Sequence, residues 1–188
     1  ITVSKNNDQY NFYEDGKLFT TTQQTETAEY ETHLIFAHSH SPQNILLVGN
    51  GFSQIKEILK YTQVKRVDYL ELDPEIIRIA LKYLPPGLQE SLDDKRVKII
   101  SSDPRLFLRQ TRQKYDLVIF NLPNPSTAFI NRLYTQECFT LIKNHLNSEG
   151  IFAFSINAPV DYLSKEAINF TALVNQTIQS VFNFVKIL

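Results

Sequence analysis

At 188 residues, with 43% hydrophobic and 21% charged positions, the chain has the apolar material for one globular domain with a small appendage. A net charge of −1 and a pI near 6.5 argue against a nucleic-acid partner, whose footprint would be a basic stripe. The single cysteine, Cys138, excludes an internal disulfide and fits a reducing compartment such as the cytoplasm. No apolar run reaches the roughly 18 to 20 residues of a bilayer span.

The first elements are short and β-rich. Strands are predicted at 1–4, 9–13 and 18–22, with Asn6-Asn7-Asp8 and Glu14-Asp15-Gly16 supplying turn chemistry between them. They read as a hairpin layer over 1–25, ahead of a larger domain over 26–188. Thr27 to His38 carries apolar residues near helical spacing, and Ser39 to Pro42 breaks it.

From Asn44 onward strands and helices alternate, the pattern of a doubly wound, mostly parallel α/β sheet. Strands are predicted at 44–49, 66–71, 97–101, 116–121, 150–156 and 182–188, and helices at 53–61, 74–83, 103–112, 130–146 and 164–180. Leu84-Pro85-Pro86-Gly87 reads as a loop. The opening at Ile1, the lack of methionine and the apolar final run from Phe182 to Leu188 suggest a domain excised from a longer chain.

In such sheets ligands bind at the carboxyl ends of the strands, so Gly49-Asn50-Gly51, Glu71, Asp103 and Asn121 draw the attention. Glycines at the first turn let backbone approach a ligand closely. Glu71, 22 residues beyond Gly49, is placed to accept hydrogen bonds from both hydroxyls of a ribose. The turn alone is weak, because Gly49-Asn50-Gly51-Phe52-Ser53-Gln54 lacks the third glycine of a dinucleotide fingerprint. Asp103, ahead of Pro104, suits a helix N-cap and equally an acceptor for an adenine amino group.

Other candidates have plainer readings. Arg105, Arg109, Arg112 and Lys114 fall on a solvated helix face whose other side carries Leu106, Phe107 and Leu108. His38 and His40 read as loop residues, and no metal is indicated. Cys138 reads as a small buried hydrophobe within an apolar helix.

The string Asp116-Leu-Val-Ile-Phe-Asn121-Leu-Pro-Asn124-Pro-Ser-Thr127, with the Tyr10-to-Gly16 hairpin, Ala28-Glu29, His33, the glycine turn, Glu71 and Asp103, resembles the spermidine synthase, or polyamine aminopropyltransferase, family. It is especially similar to the branch fused to, or encoded with, membrane segments. The resemblance implies a fold of the class I S-adenosylmethionine-dependent methyltransferase type behind a small β-layer. It implies a nucleoside ligand, decarboxylated S-adenosylmethionine or S-adenosylmethionine itself, with a polyamine as its partner. By the same resemblance Gly49, Asn50 and Gly51 line the cofactor loop, Glu71 holds the ribose and Asp103 meets the adenine. A homodimer and a position on the cytoplasmic face of a membrane belong to the same set of expectations.

Three departures bear on catalysis. Where the family ends its fourth strand in a proton-accepting aspartate, with a second acid three residues on, this chain has Asn121 and Asn124; where the loop carries an acid, it has Phe52. A diamine is protonated near neutrality, since alkylammonium pKa values lie near ~10. An asparagine amide cannot take that proton.

Three readings therefore stay open. The first is an adenosyl-binding domain with weak or absent aminopropyltransferase activity. The second is an active transferase, of aminopropyl or methyl groups, for an acceptor that needs less base assistance. The third is a structural or interaction domain of a membrane-tethered protein, with Phe52 filling the cofactor volume unless its ring turns into the core.

Overall fold

The computed structural model describes all residues except 8, 15, 23, 24, 126 and 157–164. The turn residues Asp8 and Asp15, Ser126 of the Pro-Ser-Thr loop and the first position of the predicted helix 164–180 lie outside the described residues.

Three antiparallel strands, β1 (Thr2–Asn6), β2 (Gln9–Glu14) and β3 (Lys17–Thr21), form the first sheet in the order β1-β2-β3. Gly16 closes the second turn at φ +76°, a conformation that favours glycine. Phe12 is buried, and the Tyr10 ring meets Tyr83 at 5.2 Å between centroids. Helix α1 (Thr25–Ala37) follows, burying Ala28, Thr32 and Phe36 at helical spacing.

The second sheet has five parallel strands: β4 (Asn44–Gly49), β5 (Arg66–Glu71), β6 (Val97–Ser101), β7 (Tyr115–Asn121) and β8 (Leu146–Phe154). Their order is β6-β5-β4-β7-β8, so the winding reverses beside β4. The central strands are largely apolar because both faces are covered, with Asp68 of β5 a buried exception. Ile45 and Leu47 enter one core with Phe52, Ile55, Tyr69 and Ile76; Leu46 and Val48 enter the other with Leu108, Phe120, Phe139 and Ile142.

The helices that supply those cores are α2 (Phe52–Leu59), α3 (Pro74–Tyr83), α4 (Pro86–Leu92), α5 (Pro104–Gln110), α6 (Ala128–Asn131), α7 (Gln136–His145) and α8 (Lys165–Gln179). Where the sequence predicts a loop at Leu84 to Gly87, the chain instead starts α4 at Pro86. Proline suits a first helical turn, and Leu88 and Leu92, one turn apart, are buried. The single helix predicted over 130–146 is two, because Thr127 and Thr135 each cap a new start through their hydroxyls, to the amides of Ile130 and Cys138.

The strand predicted at 182–188 is not formed. A strand needs a ladder partner, and this segment pairs with none among the described residues. Phe182 instead stacks on Phe152 at 5.9 Å, while Phe184 and Ile187 are exposed. No described helix is long and apolar enough to cross a membrane.

Candidate functional site

Parallel register brings the predicted residues to one level. Gly49 pairs with Asn121, Glu71 pairs with Ser101, and Val48 pairs with Leu70 one step below the tip. Phe120 pairs with Phe154, so Ser155 continues the rank beyond Asn121. Glu71 and Asn121 thus flank Gly49 on its two neighbouring strands, their backbones roughly 10 Å apart at two strand spacings.

Two different constraints select the glycines of the turn. Gly49 sits at φ +86°, and a Cβ there would collide with the Asn121 carbonyl oxygen and lie 2.8 Å from Leu122 Cδ2. Gly51 has an ordinary φ, but a Cβ there would run into the Leu47 side chain and come 3.3 Å from the Tyr69 ring. The first glycine serves the turn, and the second the packing of the loop on the strands.

Glu71 lies beneath that turn. Its Oε1 accepts from the backbone N–H groups of Leu72 at 2.8 Å and Asp73 at 3.3 Å, and its Oε2 accepts from the Tyr69 hydroxyl at 3.3 Å. The Tyr69 hydroxyl is in turn hydrogen-bonded by backbone of Gly51. Glycine loop and carboxylate are therefore one hydrogen-bonded unit. Burial, reinforced by the charge on Glu71, pushes the Tyr69 hydroxyl well above its ordinary pKa, which keeps it a neutral donor to Glu71.

Phe52 does not occupy the crevice. It is 2% exposed and meets Tyr69 edge-on at 5.8 Å, turned into the core beneath the loop.

On the other flank Asn121 is locked to the loop. Its backbone oxygen accepts from Asn50 N–H at 3.1 Å, and its side-chain Nδ2 donates back to the Asn50 carbonyl oxygen. The same Nδ2 donates to Gln54 Oε1 at 3.4 Å, and Gln54 Nε2 donates to Glu31 Oε2 at 3.1 Å. Both amide protons of Asn121 are thus spent within the protein, and what its amide offers a ligand is the acceptor Oδ1. Asn124, three residues past the strand end, is half-buried.

Asp103 caps α5, its Oδ1 accepting from Leu106 N–H at 3.0 Å. Its Oδ2 forms an ion pair with Arg132, which also lies over the Phe129 ring, 4.4 Å from its centroid. An adenine contact at Asp103 therefore has to share that oxygen with Arg132. The sequence around Arg132 gives no local sign that it reaches Asp103, 29 positions away.

Gln54 and Glu31 are likewise invisible in the sequence, since each sits on a helix where polar residues usually face solvent. Only the tertiary fold reveals that Gln54 is buried and Glu31 half-buried.

The remaining candidates settle into structural roles. Cys138 is fully buried, and burial pushes its thiol up to about 12. Arg109, Arg112 and Lys114 are exposed, as expected of a solvated face, but Arg105 is half-buried and reaches the Arg132 carbonyl oxygen, and Leu106, which the pattern places on the inward side, is exposed. His38 Nδ1 bonds its own helix at the Leu34 carbonyl oxygen.

Among the described residues, Glu29, His33 and Glu57 bring potential ligand atoms within 4.8 Å of one another. The Lys60 ammonium already lies 2.5 Å from Glu57 Oε2, and Tyr61 Oη lies 2.5 Å from His33 Nδ1. We read the group as an ion-pair network tying α1 to α2.

A parallel sheet of this order, reversing beside a glycine turn with an acid on the next strand tip, defines a Rossmann-like α/β domain of methyltransferase type. Solved structures agree. A spermidine synthase in complex with the transition state analogue AdoDATO superimposes with a TM-score of 0.79 at 22% identity, covering 98% of this chain and 65% of that one. Human methyltransferase-like protein 13 in complex with SAH superimposes with a TM-score of 0.65 at 16% identity, covering 84% and 74%.

The sequence profile of the spermine/spermidine synthase domain matches residues 24–187, and the chain belongs to that family. A polyamine aminopropyltransferase from Oceanobacillus iheyensis is 33% identical over 164 residues, which are 85% of this chain and 32% of the relative. The chain thus spans about a third of that relative's length.

Proposed function

We propose that this domain binds an adenosyl ligand, S-adenosylmethionine or its decarboxylated form, and has little or no polyamine-forming activity. The observation that carries the reading is the contrast across Gly49. One flank keeps a buried carboxylate organised by Tyr69 and two backbone amides, and the other presents Asn121, whose amide protons are already committed. The first keeps a charged acceptor that a ribose hydroxyl can reach at Oε2; the second cannot receive the proton of an attacking ammonium. Relatives named as polyamine aminopropyltransferases, a spermidine synthase neighbour holding the transition state analogue AdoDATO and a methyltransferase-like neighbour holding SAH support the ligand class.

Aminopropyl transfer is an in-line attack by a neutral amine on the carbon next to a sulfonium. Proximity across the Gly49 crevice would survive the loss of the acids, whereas the general-base contribution, typically ~10²- to 10⁴-fold, would not. Phe52 in the core leaves the closed-pocket reading without its motivating feature. Residues 1–25 and 26–188 are proposed as hairpin layer and ligand-binding domain respectively.

Calorimetry with S-adenosylmethionine, its decarboxylated form and methylthioadenosine, paired with a product assay on putrescine, tests the proposal. Binding of a nucleoside with no spermidine formed is the expected result. Robust turnover, or no binding of any of the three, would overturn it.

A further inference from the structure

We infer that the ion-pair network joining α1 to α2 is also a metal site, in which Glu29, His33 and Glu57 hold a zinc ion or a first-row neighbour of zinc. Glu29 and His33 are four residues apart on α1, so their side chains leave one face of the helix. Glu57, in the last turn of α2, meets them from the other side. His33 Nε2 lies 3.9 Å from Glu29 Oε1 and 3.6 Å from Glu57 Oε2. Tetrahedral ligand atoms on bonds of about 2.1 Å stand about 3.4 Å apart, so the set needs only a small contraction around an ion. Glu29 is exposed and has the freedom to supply it.

Two further observations point to a ligand. Tyr61 Oη lies 2.5 Å from His33 Nδ1, which fixes the ring and leaves Nε2 to the carboxylates, as the outer hydrogen bond of a metal-bound imidazole does. Glu57 is 1% exposed, and its Oε2 has two nitrogens around it, His33 Nε2 and, in a poorly directed ion pair at 2.5 Å, Lys60 Nζ. Lys60 is exposed, and an ammonium on a four-carbon stem returns to water at little cost, since such pairs contribute little. Two carboxylates carry a charge that one ammonium half neutralises and a divalent ion neutralises in full.

The donors select the ion. An imidazole nitrogen with two carboxylates suits zinc and its neighbours, whereas Mg²⁺ and Ca²⁺ take oxygen ligands. Three protein ligands leave a further position, which the exposed Glu29 and half-buried His33 open to water. An ion there cross-links α1, which follows the hairpin layer, to α2, which starts at the glycine turn. The site uses none of the residues of the proposed adenosyl site and does not rest on that reading.

The test is a titration of the metal-free full chain with Zn²⁺ against a chromophoric chelator, read alongside thermal unfolding. Wild type is expected to bind one zinc ion and to melt higher in its presence, with a large excess of Mg²⁺ failing to compete. Glu29→Gln, an exposed change, and His33→Ala should each weaken binding at least about tenfold, and Tyr61→Phe, which keeps the ring stacked on Phe36, should weaken it about tenfold. Lys60→Gln should do the reverse, tightening binding about two- to fivefold by removing the competing ammonium, although it breaks an ion pair. Co²⁺ in place of zinc should give visible absorption bands that His33→Ala abolishes. No zinc binding by wild type, binding that ignores both Glu29→Gln and His33→Ala, or weaker binding in Lys60→Gln would overturn the inference. Binding lost in His38→Ala and kept in His33→Ala would mark an adventitious surface ion and overturn it as well.

Discussion

Single residues carry the sharpest expectations, because at the sheet tip each side chain has an identifiable partner. Gly49→Ala forces a Cβ into a positive φ and against the Asn121 carbonyl oxygen, so urea unfolding should show a loss of about 1 to 3 kcal/mol. Asn121→Asp should destabilise the domain by about 1 to 3 kcal/mol at pH 7. It exchanges a donor for an acceptor opposite two acceptors, Asn50 O and Gln54 Oε1. Because the introduced carboxyl's folded pKa would lie above its unfolded value, the deficit should shrink as pH falls and the acid protonates. A deficit that grows on acidification would show that the amide network is drawn wrongly. Gln54 cannot rescue both neighbours, since turning its amide towards the introduced carboxylate would set its oxygen against Glu31. Cys138, with its thiol pushed to about 12, should react with a thiol reagent at pH 8 on the order of a hundredfold or more slower in the native protein than in urea. At this scale the sequence was legible where backbone rules apply, at Gly49 and in the Asp103 cap. It was opaque where long-range partners decide, as with Arg132, Gln54 and Glu31.

Elements are held in place by a few polar ties that the apolar patterning does not reveal. Asp116, near the start of β7, accepts from the backbone N–H groups of Gln43 and Asn44 at 2.9 Å and from Asn147 Nδ2 at 2.5 Å, joining the starts of β4, β7 and β8. Burial opposes its ionisation, but these donors prevail and hold its carboxyl below the usual range. Asp116→Ala leaves the donors without an acceptor and should cost about 2 to 4 kcal/mol at pH 7. With a folded pKa below the unfolded one, the stabilisation is complete above about pH 4 and fades as pH drops further through the folded value. The gap in melting temperature between wild type and variant should therefore narrow as the pH falls below about 4, and a gap that does not narrow on acidification would contradict the ionised-acceptor role. The three inner strands, β4, β5 and β7, were readable because their apolar runs are buried on both faces. The helix α4 was hidden by its prolines, the break between α6 and α7 by threonine caps inside an otherwise continuous period, and the failed strand at 182–188 by an apolar composition that cannot report the lack of a partner.

The whole molecule combines a spermine/spermidine synthase family fold with a sheet tip that carries a buried carboxylate on one side of Gly49 and an amide on the other. Family membership rests on a match across residues 24–187, but the chain spans only 32% of the Oceanobacillus relative, so the activity of longer proteins does not transfer to it by length. What the fold does preserve is the alignment of Gly49, Glu71 and Asn121 at adjacent strand ends, which follows from register and not from any one contact. The account as a whole depends on Glu71 gripping a ribose there. The direct measurement is methylthioadenosine binding by wild type and by Glu71→Gln, whose neutral amide keeps the shape but surrenders the charge-assisted acceptors. Wild type should bind, and the variant should bind at least about tenfold more weakly. Equal affinities in the two proteins would contradict the account.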